Sequence, residues 1–126
     1  MVWRRALRLT GFPDSPATTW TTSELTRGSA GALAEAGHEL SRFDSREWAG
    51  ELTTPAAVIV TLRDQGVPPG HQRDLAERLG APVFEVDGDH GAAVSRARTF
   101  NPILLEALAA VESAASESLA ASAPAA

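Results

Sequence analysis

An α/β fold, with parallel strands joined by a crossover helix and preceded by a helical segment, is predicted by three observations. Residues 56–62 (AAVIVTL) form a continuous apolar, β-branched run between Pro55 and the polar Arg63-Asp64-Gln65-Gly66, as suits a strand buried on both faces of a parallel sheet. Residues 71–79 (HQRDLAERL) carry an apolar seam of Leu75, Ala76 and Leu79 with Arg73, Asp74, Glu77 and Arg78 turned to water, the pattern of a surface helix. Residues 82–86 (PVFEV) read as a second short strand, so strand, helix and strand make one right-handed crossover unit.

The elements follow in order. Residues 2–9 (VWRRALRL) set Val2, Trp3, Ala6 and Leu9 opposite Arg4, Arg5 and Arg8, an amphipathic helix that residues 11–16 (GFPDSP) break. Residues 17–27 can be helical with Trp20 and Leu25 inward, against the modest helix propensity of five threonines. Residues 30–43 are a stronger helix, with Leu33, Ala36, Leu40 and Phe43 recurring at near-helical spacing. Asp44-Ser45 reads as a cap before a short turn starting at residues 45–48. After the first strand, Val67-Pro68-Pro69-Gly70 is a stiff turn, and Gly80 ends the helix that follows. Asn101 as N-cap and Pro102 at the first helical position predict a last helix whose face is Ile103, Leu104, Ala107, Leu108 and Val111. The chain therefore divides into a helical segment over residues 1–51, an α/β section over 52–112, and an Ala/Ser tail over 113–126 expected to be frayed or disordered.

Two parallel strands are too few for a stable sheet, and apolar strand edges need covering. The expectation is that the chain oligomerises or forms one piece of a larger sheet.

Composition excludes several function classes. The 126 residues allow one domain at most, and 44% hydrophobic content is that of a globular protein. A net charge of −5 argues against a nucleic-acid partner, which would need clustered basic residues. With no cysteine there are no disulfides, thiolate metal sites or cysteine nucleophiles. No apolar run reaches the roughly 18 to 20 residues of a membrane span, and no signal-peptide core follows the N-terminal arginines, so no membrane partner and a cytoplasmic location are expected.

The chemistry gathers where the two strands end. Asp64 follows the first and His90, in Asp87-Gly88-Asp89-His90, follows the second, at the sheet edge where ligands collect in open α/β folds. A carboxylate beside an imidazole fixes its tautomer and stabilises the imidazolium formed when the other nitrogen takes a proton. Each residue also has a plainer reading: Asp64 as a turn-former, His90 as a loop histidine. Asp87 and Asp89 beside His90 could suggest a metal site, but further fixed ligands are lacking and no metal is expected. His38 and His71 have no partner set that implies catalysis, and Trp3, Trp20 and Trp48 suit packing better than a cofactor box.

At these residues the sequence resembles the C-terminal part of an α/β-hydrolase, where the chain order is nucleophile, acid, histidine. The resemblance is carried by the strand AAVIVT, by RDQGVPP with Asp64 as the acid, the helix HQRDLAERL, the strand PVFEV, GDH with His90 as the histidine, and the closing helix NPILLEALAAV. It covers about residues 45–111 well, and residues 1–51 more loosely resemble the family's helical lid. It implies a truncated α/β-hydrolase fold acting on esters or related acyl compounds through a Ser-Asp-His triad, with no cofactor. The departure is the nucleophile: no Gly-x-Ser-x-Gly elbow is present, and the nearest stretch, Gly28-Ser29-Ala30-Gly31, has Arg27 in place of the first glycine. The chain alone is therefore expected to be inactive. The competing expectation is a non-catalytic remnant or small interaction module that self-associates through its sheet edge.

Overall fold

The structure is a computed structural model that describes residue 5 and residues 15–122. It is a mixed α/β arrangement, mostly helical, with a two-stranded parallel sheet. The elements are α1 (Pro16–Arg27), α2 (Ala30–Arg42), a 3-10 turn (Ala49–Glu51), β1 (Val58–Thr61), α3 (Pro69–Leu79), β2 (Val83–Val86), α4 (Ala92–Ser95) and α5 (Ala97–Ser122). The helix expected over residues 2–9, with Trp3, lies outside the described residues apart from Arg5. No helix among the described residues is long and apolar enough to cross a membrane.

The α1 helix forms despite its threonines, whose hydroxyls bond back along it to carbonyls one turn earlier. Thr22 Oγ1 donates to the Thr18 carbonyl at 2.7 Å, Thr19 Oγ1 to the Ser15 carbonyl at 3.1 Å, and Thr26 Oγ1 to the Thr22 carbonyl. Ser15 caps the first turn by accepting from the Thr18 amide at 3.1 Å, with Pro16 directly after it. Trp20, expected inward, is instead 67% exposed, while Leu25 is half-buried.

The α2 helix matches its predicted span to within one residue, yet its apolar seam is not buried. Leu33 is half-buried, but Ala36, Leu40 and Phe43 are exposed and no residue of the helix is fully buried. Periodicity marks which side of a helix would pack without supplying the surface it packs on. Phe43 instead meets Trp48 edge to face, with ring centroids 6.3 Å apart. Between them Asp44 accepts from the Arg46 amide and guanidinium, which together hold its carboxyl well below the usual carboxylate range.

The β1 and β2 strands pair in parallel, Val58 opposite Val83 and Thr61 opposite Val86. The first is shorter than the predicted 56–62, and the expected two-sided burial is only partial. Val60 and Val86 are the buried centre; Val58, Ile59 and Phe84 are half-buried, and Val83 is 42% exposed. Two strands can be covered only where α3 packs on β1 and α5 packs on both.

Gly80 ends α3 at φ 59°, donating to the Glu77 carbonyl at 3.1 Å, while Ala81 donates to Ala76 at 2.9 Å. This is a Schellman closure, and the left-handed conformation it needs suits glycine. The crossover is further tied by Arg73, which pairs with Glu85 of β2 at 2.6 Å.

The last helix departs from expectation at both ends. Asn101 is not its N-cap: α5 begins at Ala97, and Pro102 lies inside it. The Arg96 carbonyl accepts from Thr99 and Phe100, each at 2.9 Å, and so starts the helix ahead of the proline. A proline this near the helix start removes one intrahelical bond while keeping a helical φ. At the other end α5 runs through Ser122, where a frayed tail is expected from residue 113. Alanine is the best helix former, and the Ser116 and Ser122 hydroxyls return to the Glu112 and Ser118 carbonyls at 2.9 and 2.8 Å.

Candidate functional site

Because β1 and β2 run in the same direction and in register, the chain leaves both at one end of the sheet. The two exits stay together: the Leu62 amide donates to the Val86 carbonyl at 3.0 Å, and the Arg63 amide to the Gly88 carbonyl at 2.9 Å. Asp64 and His90, one in each exit loop, are thereby brought within hydrogen-bond reach.

The Asp64 carboxylate is buried and fully engaged. Its Oδ1 accepts from the Gly66 and Val67 amides, both at 2.8 Å, and its Oδ2 from the Thr61 hydroxyl at 2.9 Å. His90 Nδ1 lies 3.0 Å from each carboxylate oxygen. Burial pushes the Asp64 carboxyl up, but the bonds from Val67, His90, Thr61 and Gly66 outweigh it, and its pKa falls below the ordinary 3.8. The group is therefore ionised at neutral pH and can only accept. Nδ1 must then carry a hydrogen, which leaves Nε2 of the neutral ring as the proton-accepting nitrogen.

The histidine is the open member of the pair, its side chain 38% exposed against 5% for Asp64. Gly66 lies flat against the ring: a Cβ at that position would meet His90 Cγ and Nδ1 at 3.0 Å. Asp64 is thus also the turn-former of the plainer reading, since it folds the 64–67 loop while holding the imidazole.

The remaining candidates serve other ends. Asp87 pairs with Arg63 at 3.1 Å, and Asp89 accepts from the Gly91 amide at 3.0 Å. Among the described residues no group of three or more His, Cys, Asp or Glu is arranged to hold a metal ion. Ser29 caps α2, accepting from the Ala32 amide at 3.4 Å. His38 and His71 are exposed on α2 and the first turn of α3, and Trp48 packs on Phe43.

Three residues of the site escape sequence reasoning: Thr61, Gly66 and Gln72. The first two stand at short spacing from Asp64, where an Asx turn and a hydroxyl bond are local signals that could have found them. Gln72 bonds to Thr61, Asp64 and Val67 from α3, and nothing in its helical context marks it. No family model, curated protein or solved structure matches the chain.

Proposed function

We propose that this chain carries the acid and histidine of an α/β-hydrolase site acting on esters or related acyl compounds. The observation that supports this best is the Asp64–His90 pair: a buried, ionised carboxylate on Nδ1 of an imidazole whose side chain is itself 38% exposed. In the proposed reaction a serine hydroxyl attacks the acyl carbonyl. His90 Nε2 takes its proton and later returns it to the leaving group, while Asp64 holds the ring and stabilises the imidazolium. The serine comes from polypeptide outside this sequence, because no nucleophile elbow is present in it.

A chromogenic short-chain ester tests the reading. The 126-residue chain alone is expected to be inert, and a polypeptide that adds a preceding strand and Gly-x-Ser-x-Gly turn from its own gene to turn over. Subtilisin-like triads lose about four to six orders of magnitude when the acid or the histidine is removed, so His90→Ala and Asp64→Asn should abolish measurable activity in the longer polypeptide. Unchanged turnover in both variants would sink the assignment.

A second reading is favoured by one specific observation, the half-exposed sheet with Leu62 at 39% and Val83 at 42% exposure. In it the chain is a non-catalytic module that self-associates through the sheet edge.

A further inference from the structure

We propose that Gln72 is a positioning residue for the Asp64–His90 pair, its amide fixing the Asp64 carboxylate in the orientation that keeps His90 in the Nδ1–H tautomer. The inference rests on the reading of Asp64 and His90 as the acid and histidine of one site, and adds to that site a member from a different element.

The two ends of the amide are assigned by what they face. Oε1 lies 2.9 Å from the Thr61 backbone nitrogen, and only an acceptor can face an N–H. The other end is therefore the NH2 group, and it points at three oxygens. Nε2 donates to the Val67 carbonyl at 2.6 Å and to Thr61 Oγ1 at 3.0 Å, with Asp64 Oδ2 at 3.3 Å. Thr61 Oγ1 accepts from Gln72 Nε2, and its single hydrogen has two acceptors in reach, Asp64 Oδ2 at 2.9 Å and Gln72 Oε1 at 3.3 Å, of which the shorter contact, to the charged carboxylate, is the stronger.

Gln72 thus acts on both carboxylate oxygens by different routes. Oδ2 is reached directly and through the Thr61 hydroxyl. Oδ1 is reached through Val67, whose carbonyl is held by Gln72 while its amide donates to Oδ1 at 2.8 Å. A carboxylate bound only by the 64–67 loop could turn about its Cβ–Cγ bond, and His90 Nδ1, 3.0 Å from both oxygens, would lose that symmetric partner. Glutamine has the chemistry that such positioning requires, with one acceptor and two donors on one rigid, uncharged plane. Glutamate would put acceptors against Asp64 and the Val67 carbonyl, and a methionine of similar length would offer no strong donor.

A purely structural alternative is that Gln72 only closes the exposed end of β1 by accepting the Thr61 amide. The two roles separate by substitution. Gln72→Glu keeps an acceptor for Thr61 but removes both donors; Gln72→Met removes all of these bonds while keeping side-chain length.

The test is the tautomer of His90, read from the 15N shifts of its imidazole in the full chain at a pH where the ring is neutral. The wild type is expected to give the signature of a single Nδ1–H form, and both Gln72 variants a mixture with the Nε2–H form, while the Val60 and Val86 methyl resonances stay in place. A wild-type signature retained in either variant would overturn the proposal: in Gln72→Glu it would leave only the strand-closing role, and in Gln72→Met it would make any change in Gln72→Glu an effect of added charge. Should Gln72→Met fail to fold, Gln72→Leu, which also removes every bond of the amide and suits a helix, decides in its place by the same criterion. Asp64→Asn separates the two levels of inference. If it too leaves the Nδ1–H signature intact, the acid–histidine pairing itself fails; if it alone abolishes the signature, the pairing stands and the role of Gln72 falls.

Discussion

At the scale of single residues, the site depends as much on an absent atom as on those present. His90 can lie over the 64–67 loop because Gly66 has no side chain, and the added methyl of Gly66→Ala would sit 3.0 Å from two ring atoms, closer than ordinary contact. Either the ring or the loop must give, and both are anchored to the Asp64 carboxylate. Under the proposed hydrolase reading, Gly66→Ala is therefore expected to lower ester turnover of a polypeptide that supplies the serine by about a hundredfold, the scale of a misplaced catalytic group, with its thermal stability little changed. Steady-state kinetics beside a melting curve would check this. Asp64 and His90 could be read in the sequence because each follows an apolar strand run. Gly66 could not, because its role exists only once His90 is folded back upon it.

Among the elements, the crossover helix α3 is the one that places chemistry. It starts at the Pro68-Pro69 turn, brings Gln72 over the end of β1, reaches β2 through Arg73, and stops at Gly80. Its stop is conformational: Gly80 stands at φ 59°, where a Cβ costs about 1 kcal/mol or somewhat more. Gly80→Ala should lower the stability read from urea unfolding by that amount without altering the His90 tautomer, since open space surrounds the position. The C-terminal end of α3 was legible because Gly80 marks it, whereas its start at Pro69 lies two residues before the expected His71, since Pro69 serves as a first-turn helical proline and not as part of the preceding turn. The α5 boundaries were not legible. Asn101-Pro102 has the composition of a helix start, but the Arg96 carbonyl had already begun the helix upstream. Likewise the seam of α2 was legible as an apolar stripe, whereas its exposure depends on whether another surface meets it.

For the molecule as a whole, the sheet is the incomplete part. Its buried side chains centre on Val60 and Val86, with small alanines around them, and both strands keep half-exposed apolar residues. If the chain closes its sheet on a second copy, size-exclusion chromatography over a dilution series should show an elution volume that increases as protein is diluted. A well-folded monomer at every concentration would count against pairing between copies. The parallel ladder also shows how such an edge is limited. Val58 and Leu62 send their amides to β2, so Ile59 and Thr61 direct theirs to the opposite side. At Thr61 that amide is already taken by Gln72. A neighbouring strand could dock alongside Ile59 but would find no donor at Thr61, so the sheet can widen while the end that carries Asp64 and His90 stays uncapped. The same glutamine would then set where assembly stops and where access to the histidine begins.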